Sequence, residues 1–159
     1  MTENEFVECL EEYYQGEVLG EAFFEAALRD FDKPDYRYKV CNLLQLETET
    51  KARLRAHLLK LDGPVEELES SRAAGRELAT SFARGDWNAF IARLNEAGEP
   101  LTNRQREVAQ IAPHRFRELA DSMRVHGESI QRFCELELSG DGENSIRDVV
   151  AQLNYPVRP

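Results

Sequence analysis

The sequence predicts an all-α fold: an antiparallel four-helix bundle with a short crossover helix and a C-terminal tail helix. Three observations predict it. Apolar residues recur at steps of three and four along nearly the whole chain, the spacing that lines one helical face. No stretch sustains the period-two alternation of a half-buried strand. Stop signals at Gly63-Pro64, Gly98/Pro100 and Gly140 leave only short connections, as between neighbouring helices of opposite direction. At 159 residues the chain reads as one domain, 1–159, large enough to bury a substantial core.

The first helix is expected over 3–31, its stripe running through Phe6, Leu10, Tyr13, Glu17, Gly20, Phe24, Ala27 and Phe31, with Glu21 beside it. Pro34 resets the chain. A second helix over 35–61 carries the seam Val40, Leu44, Glu47, Lys51, Leu54, Leu58 and Leu61, an aliphatic row with two opposite charges at its centre. Gly63 suits a left-handed cap and Pro64 cannot continue the helix. Pro64 then fits the first position of a third helix over 64–84, with Glu66 and Glu67 in its opening turn. Gly85 breaks it, and Asp86 caps a short helix over 86–97 that Gly98 and Pro100 end. Thr102 with Gln105 forms a capping box for a helix over 101–139, which Pro113 either kinks or restarts at 113. Gly140 ends that helix, and Ser145 with Asp148 opens a tail helix over 145–153. Arg84-Gly85-Asp86 spells an integrin-recognition tripeptide by chance.

Charge excludes one class of partner. Residues 1–30 hold nine acidic residues and one basic, against 21 acidic and 19 basic in the remainder. A phosphate backbone is repelled by such a first helix, so nucleic acid is not expected. No apolar run reaches the roughly 20 residues that span a bilayer, and the acidic N-terminus is unlike a signal peptide, so the expected setting is the cytoplasm without membrane association. Cys9, Cys41 and Cys134 show no ligand spacing and read as reduced core thiols. The acidic first helix offers a surface for a basic protein partner.

The polar members of the stripes carry the candidate chemistry. Glu17 and Glu21 on the first helix, Glu47 and Lys51 on the second and His126 on the last each have apolar neighbours about a turn away on both sides. In antiparallel helices they fall at similar heights. Buried carboxylates need compensation by a metal, by the lysine or by water. No nucleophile–histidine grouping, phosphate loop or zinc-ligand spacing is present.

Tyr13 to Phe24, Leu46-Glu47-Thr48-Glu49-Thr50-Lys51, and His126-Gly127-Glu128 with Ile130 and Phe133 resemble the ligand helices of the ferritin-like superfamily, the rubrerythrins and bacterioferritins. That resemblance implies a mid-bundle iron or manganese site, with Glu17, Glu21, Glu47 and His126 as its candidate ligands, and a tendency to dimerise. The family's ExxH motifs are degenerate: Thr50 stands three residues after Glu47, and Met123 three before His126. Three readings follow, one of them an acidic interaction module in which the first helix meets a basic partner. In the preferred one the metal site is reduced or lost, the charge cluster is structural or binds a small ligand, and Lys51 neutralises Glu17, Glu21 and Glu47 in a protein that is not an iron store. In the third, the carboxylates and His126 ligate one or two metals in an oxidase or oxygenase. The substrate, the reaction and whether the chain is an enzyme stay open.

Overall fold

The computed structural model describes residues 1–82 and 85–159. Among these the chain is all-helical, without strands. Six α-helices follow in order: α1 Glu3–Ala27, α2 Pro34–Lys60, α3 Glu69–Thr80, α4 Trp87–Ile111, α5 Arg117–Ser139 and α6 Arg147–Val150. Single 3-10 turns stand at Leu28–Asp30 and His114–Phe116. The expected end of the third helix and the Arg84-Gly85-Asp86 tripeptide include residues 83–84 and so lie partly outside the described residues. No helix among the described residues is long and apolar enough to cross a membrane.

Local chemistry accounts for several helix ends. Thr2 and Glu5 cap α1 reciprocally, the hydroxyl accepting the Glu5 N–H and the carboxylate accepting the Thr2 N–H. Pro34 opens α2, where its missing N–H costs nothing. Asp62, with φ of 54°, takes the left-handed turn expected at Gly63. Asp tolerates that region through local side-chain bonding. Gly140, with φ of 88°, closes α5 as its sequence position predicts.

Three expectations are corrected. The third helix starts at Glu69 rather than Pro64, because α1 side chains hold the preceding backbone: Tyr14 donates to the Val65 carbonyl and Gln15 to that of Glu66. Gly98 and Pro100 do not stop a helix. Instead α4 runs unbroken from Trp87 to Ile111, so the long third helix is this one and Thr102 is buried in its interior rather than capping a new segment. A proline inside a helix removes one backbone bond, and here the apolar face either side of it, Leu94 and Val108, is buried and offsets that loss. The tail helix shrinks to Arg147–Val150, since Ser145 donates its hydroxyl to Glu137 instead of capping. At Pro113 the chain restarts, as one of the two sequence alternatives has it.

The α4–α5 and α1–α2 pairs are antiparallel, whereas α3 runs parallel to α1: Gln15 meets Ser71, Leu19 meets Gly75 and Phe23 meets Phe82 just past the end of α3. In α4 and α5, Trp87 meets Glu137, Asn95 meets Gln131 and Arg106 meets Glu128. Between α1 and α2, Glu21 meets Thr48 and Lys51, while Phe31 in the connection meets Tyr36 at the start of α2. α3 packs on α1, with Gly75 so close that a Cβ there would lie 2.2 Å from the Leu19 carbonyl oxygen. The C-terminal segment is tied across α2 by Asn42, which bonds both the N–H and the carbonyl of Val157, and by Glu49, which accepts from Asn154 and Tyr155.

The buried apolar residues form two clusters. One holds Phe23, Phe24, Leu43, Phe90 and Phe133, the other Leu10, Tyr14, Leu54, Val108 and Met123. Between them each long helix contributes buried polar side chains: Glu17 from α1, Glu47 and Thr50 from α2, Thr102 and Gln105 from α4, His126 and Ser129 from α5. This polar layer positions the site.

Candidate metal centre

Glu17, Glu47 and His126 meet in the polar layer, each about 5% exposed or less. The His126 Nε2 lies 3.6 Å from one Glu17 oxygen and 3.7 Å from one Glu47 oxygen. One donor atom from each residue lies within 4.8 Å of the other two. Donors bonded to a common ion at about 2.0–2.2 Å, opening at about 110–120°, stand about 3.3–3.8 Å apart. The two measured separations fall in that range. On its far side the imidazole places Nδ1 3.2 Å from the Thr50 hydroxyl, the position of a group that orients a ligating histidine.

The electrostatics are those of a group short of positive charge. Burial pushes the Glu47 carboxyl up to about 7. Burial, reinforced by the neighbouring Glu47, holds Glu17 well above the ordinary carboxylate range. Burial and, secondarily, Arg53 push the His126 imidazole down to about 3, so its ring is neutral and offers a lone pair. Arg53 reaches the Thr50 hydroxyl at 3.4 Å and its pairing stops there, with Nε buried and unpartnered. The second Glu17 oxygen is likewise buried without a hydrogen-bond partner. An orphaned buried carboxylate oxygen is expensive, and a divalent cation satisfies it together with its neighbours.

Another buried acid shows the contrast. Glu137 is paired with the Lys39 ammonium at 2.9 Å and accepts from the Trp87 indole at 2.6 Å and from the Ser145 hydroxyl. Its charge is satisfied within the protein, and it fastens α5 to α2 and α4.

Lys51 does not enter the Glu17–Glu47–His126 group. Its ammonium pairs with Glu21 at 2.5 Å and Glu67 at 2.9 Å, and Arg72 completes the network by bonding both acids. Its expected pairing with Glu47 and neutralisation of Glu17 are therefore corrected, and Glu21 leaves the candidate ligand set with it. The reason is rotation: a four-residue step turns a helix about 40° past a full circle. Glu21 and Lys51 are thereby carried towards α3, away from the face that holds Glu17 and Glu47. Glu77 and His114 are exposed, and His57 is half-buried beside Arg53 and Lys60.

The site opens on a cavity of about 320 Å³ bounded by α1, α4 and α5, with α3 at one end. Its walls are mainly apolar, among them Leu19, Phe23, Leu78, Leu94 and Ile130, and its polar lining includes all three site residues. Glycines shape it. A Cβ on Gly20 would sit 2.2 Å from a Glu47 carboxylate oxygen, and one on Gly127 would sit 1.9 Å from the Gln105 carboxamide oxygen. Gly20 thus makes room for the acid and Gly127 for the amide. Sequence reasoning missed Gln105 and Arg53, and it treated Thr50 only as a missing histidine. The small residue directly after His126, on a buried helix face, was the available signal.

The chain matches no family model, no curated protein and no solved structure.

Proposed function

We propose that this chain is a ferritin-like four-helix-bundle protein, with α1, α2, α4 and α5 as the bundle, that holds a single iron or manganese ion through Glu17, Glu47 and His126 and is not an iron store. The observation that carries the reading is the convergence of three buried donors, with neutral His126 the one basic side chain within ion-pair distance of either carboxylate among the described residues. A lysine turned inward would have favoured a metal-free core, and Lys51 is paired elsewhere. Three donors, with Thr50 and Met123 at the degenerate motif positions, support one ion rather than two. Carboxylate and imidazole donors suit iron and manganese.

The test is metal analysis of the purified chain, before and after incubation with Fe²⁺ or Mn²⁺. About one equivalent is expected, lost in Glu47→Ala and in His126→Ala. A chain that takes up no metal under either condition overturns the reading, and uptake of two equivalents overturns its single-ion form.

The cavity favours a second, narrower reading as an oxidase or oxygenase. Iron held here would supply one-electron redox chemistry and a place for O₂. The protein's own share is to exclude water with the apolar walls, to orient the His126 ring through Thr50 and to keep Glu47 in place beside Gly20. Oxygen consumption by the iron-loaded chain with a chemical reductant tests this, and a rate equal to free iron would count against it.

A further inference from the structure

Lys39, Lys51, Arg72, Arg106 and Arg124 are wholly or partly withdrawn from solvent, and each is ion-paired with an acid of this chain. Arg53 shares their burial and not their pairing. Among the described residues its one hydrogen-bond partner is the Thr50 hydroxyl at 3.4 Å, and its Nε is buried without any. Glu17 and Glu49 favour its charge from beyond ion-pair distance. A half-buried cation left in this state costs the fold stability, so its retention calls for a reason.

The surroundings of Arg53 supply one. It lines an open pocket between the last turns of α2 and the start of α5. Arg53, His57 and Lys60 follow at steps of four and three, so α2 presents all three on one face of the pocket. Lys60 is exposed and, among the described residues, has no acidic partner either. The helix dipole accounts for a lysine in the last turn of α2, but Arg53 stands two turns from the end, beyond its reach. Across the pocket Arg115 is matched by Glu3 at 2.8 Å, and Glu118 is the one acid in the lining. Positive charge is therefore in surplus here, in a chain whose net charge is −10. The His57 ring registers it: burial, then Lys60 and Arg53, push the imidazole below its ordinary value, with Glu118 opposing them. Phe116 and Leu119, both buried and apolar, form part of the wall and keep that charge poorly screened.

We infer that this pocket is an anion site, which takes one small oxyanion between the Arg53 guanidinium and the Lys60 ammonium. A guanidinium offers paired N–H groups that match two oxygens of a phosphoryl or carboxylate group, whereas chloride presents a single acceptor. The neutral His57 ring adds a further N–H donor from the same face.

Titration calorimetry tests this on the full chain, stripped of metal by a chelator so that no bound ion takes up the oxyanion. Inorganic phosphate and acetate are titrated separately at an ionic strength fixed with chloride, and their relative affinities tell a phosphoryl from a carboxylate site. One equivalent of the preferred oxyanion is expected. Arg53→Gln, which keeps a donor for Thr50 and loses the charge, should weaken it at least about tenfold. Lys60→Gln should weaken it by about tenfold as well, and at its exposed position carries the test should Arg53→Gln fail to fold. The exposed Arg93→Gln, outside the pocket, should bind as the wild-type chain does. No binding of either oxyanion overturns the inference, as does undiminished binding by Lys60→Gln or by a folded Arg53→Gln. An equal loss in Arg93→Gln overturns it too, since net charge alone would then be responsible, and displacement by equimolar chloride overturns the oxyanion assignment. Binding needs no metal, so a chain that takes up the oxyanion and no Fe²⁺ or Mn²⁺ supports this inference while failing the metal reading.

Discussion

The Thr50 hydroxyl lies 3.2 Å from Nδ1 of His126, on the side of the ring turned away from Glu17 and Glu47. Thr50 occupies the place where a second histidine would complete an ExxH motif, yet it still serves the site by fixing the ring that is present. Thr50→Val should leave the fold intact and weaken Mn²⁺ binding by about 10-fold or more, the usual cost of losing such an orienting contact. Competition with a chromophoric chelator measures it. Unchanged affinity would mean that packing alone orients the imidazole.

The metal-free chain should respond to pH in two opposed ways. Glu47 titrates near 7 when folded against 4.5 ordinarily, so the stability it contributes is full below 4.5 and lost as pH rises through about 7. Glu17, raised in the same direction, extends that loss upward. His126 is lowered to about 3 from 6.5, so its contribution is full above 6.5 and lost as pH falls towards 3. The metal-free chain is therefore expected to melt at a lower temperature at pH 8 than at pH 6, by about 4–8 °C if about 2 kcal/mol is at stake. Saturating Mn²⁺ should abolish the difference, because the cation replaces the proton. Scanning calorimetry at both pH values decides it; equal melting temperatures without metal would show that the carboxylates are solvated.

Lys51→Met separates the two ionic groups. Its pairs with Glu21 and Glu67 are mostly buried, with the Lys51 side chain 12% exposed, so the expected cost is about 1–3 kcal/mol, between exposed and fully buried pairs. Metal content should not change. Denaturant titration alongside metal analysis reads both, and loss of metal in this variant would mean that the lysine network positions the donors.

Gly20 and Gly16, one turn apart on α1, should respond in opposite ways to alanine. Replacing a mid-helix glycine ordinarily stabilises by about 0.5–1 kcal/mol, which is expected for Gly16→Ala, where the new methyl meets open space. In Gly20→Ala the methyl displaces the end of Glu47, a flexible side chain, so the loss should fall on metal affinity more than on stability. Thermal melts and chelator competition distinguish the two. Equal metal affinity for both variants would mean that Glu47 need not stand where it does.

Much of the site was readable along single helices. Glu17, Glu47 and His126 each interrupt an apolar stripe, and stripes of antiparallel helices bring their centres to one height. The sequence also let Glu21 and Lys51 share those stripes, because a step of four residues stays within an amphipathic face while turning far enough to meet a different neighbour. Which neighbour that is depends on α3, and α3 is placed by the bonds of Tyr14 and Gln15 to residues some fifty positions away. Pro100 misled for a similar reason. Its local cost is evident in the sequence, but the burial of Leu94 and Val108 that outweighs it arises only when α5 is in place. The glycines were visible and their meaning was not, since a missing side chain gains significance only from what approaches it.

The layer of polar residues between the two apolar clusters bears on how the molecule comes apart. Each cluster is continuous in itself, and between them all four long helices carry buried polar side chains, two of them carboxyls that burial disfavours in their charged form. An ion at Glu17, Glu47 and His126 would then act as a rivet, coupling two half-cores into one cooperative unit. Loaded, the chain would open as a whole; stripped, its upper and lower halves would be free to fray at different temperatures.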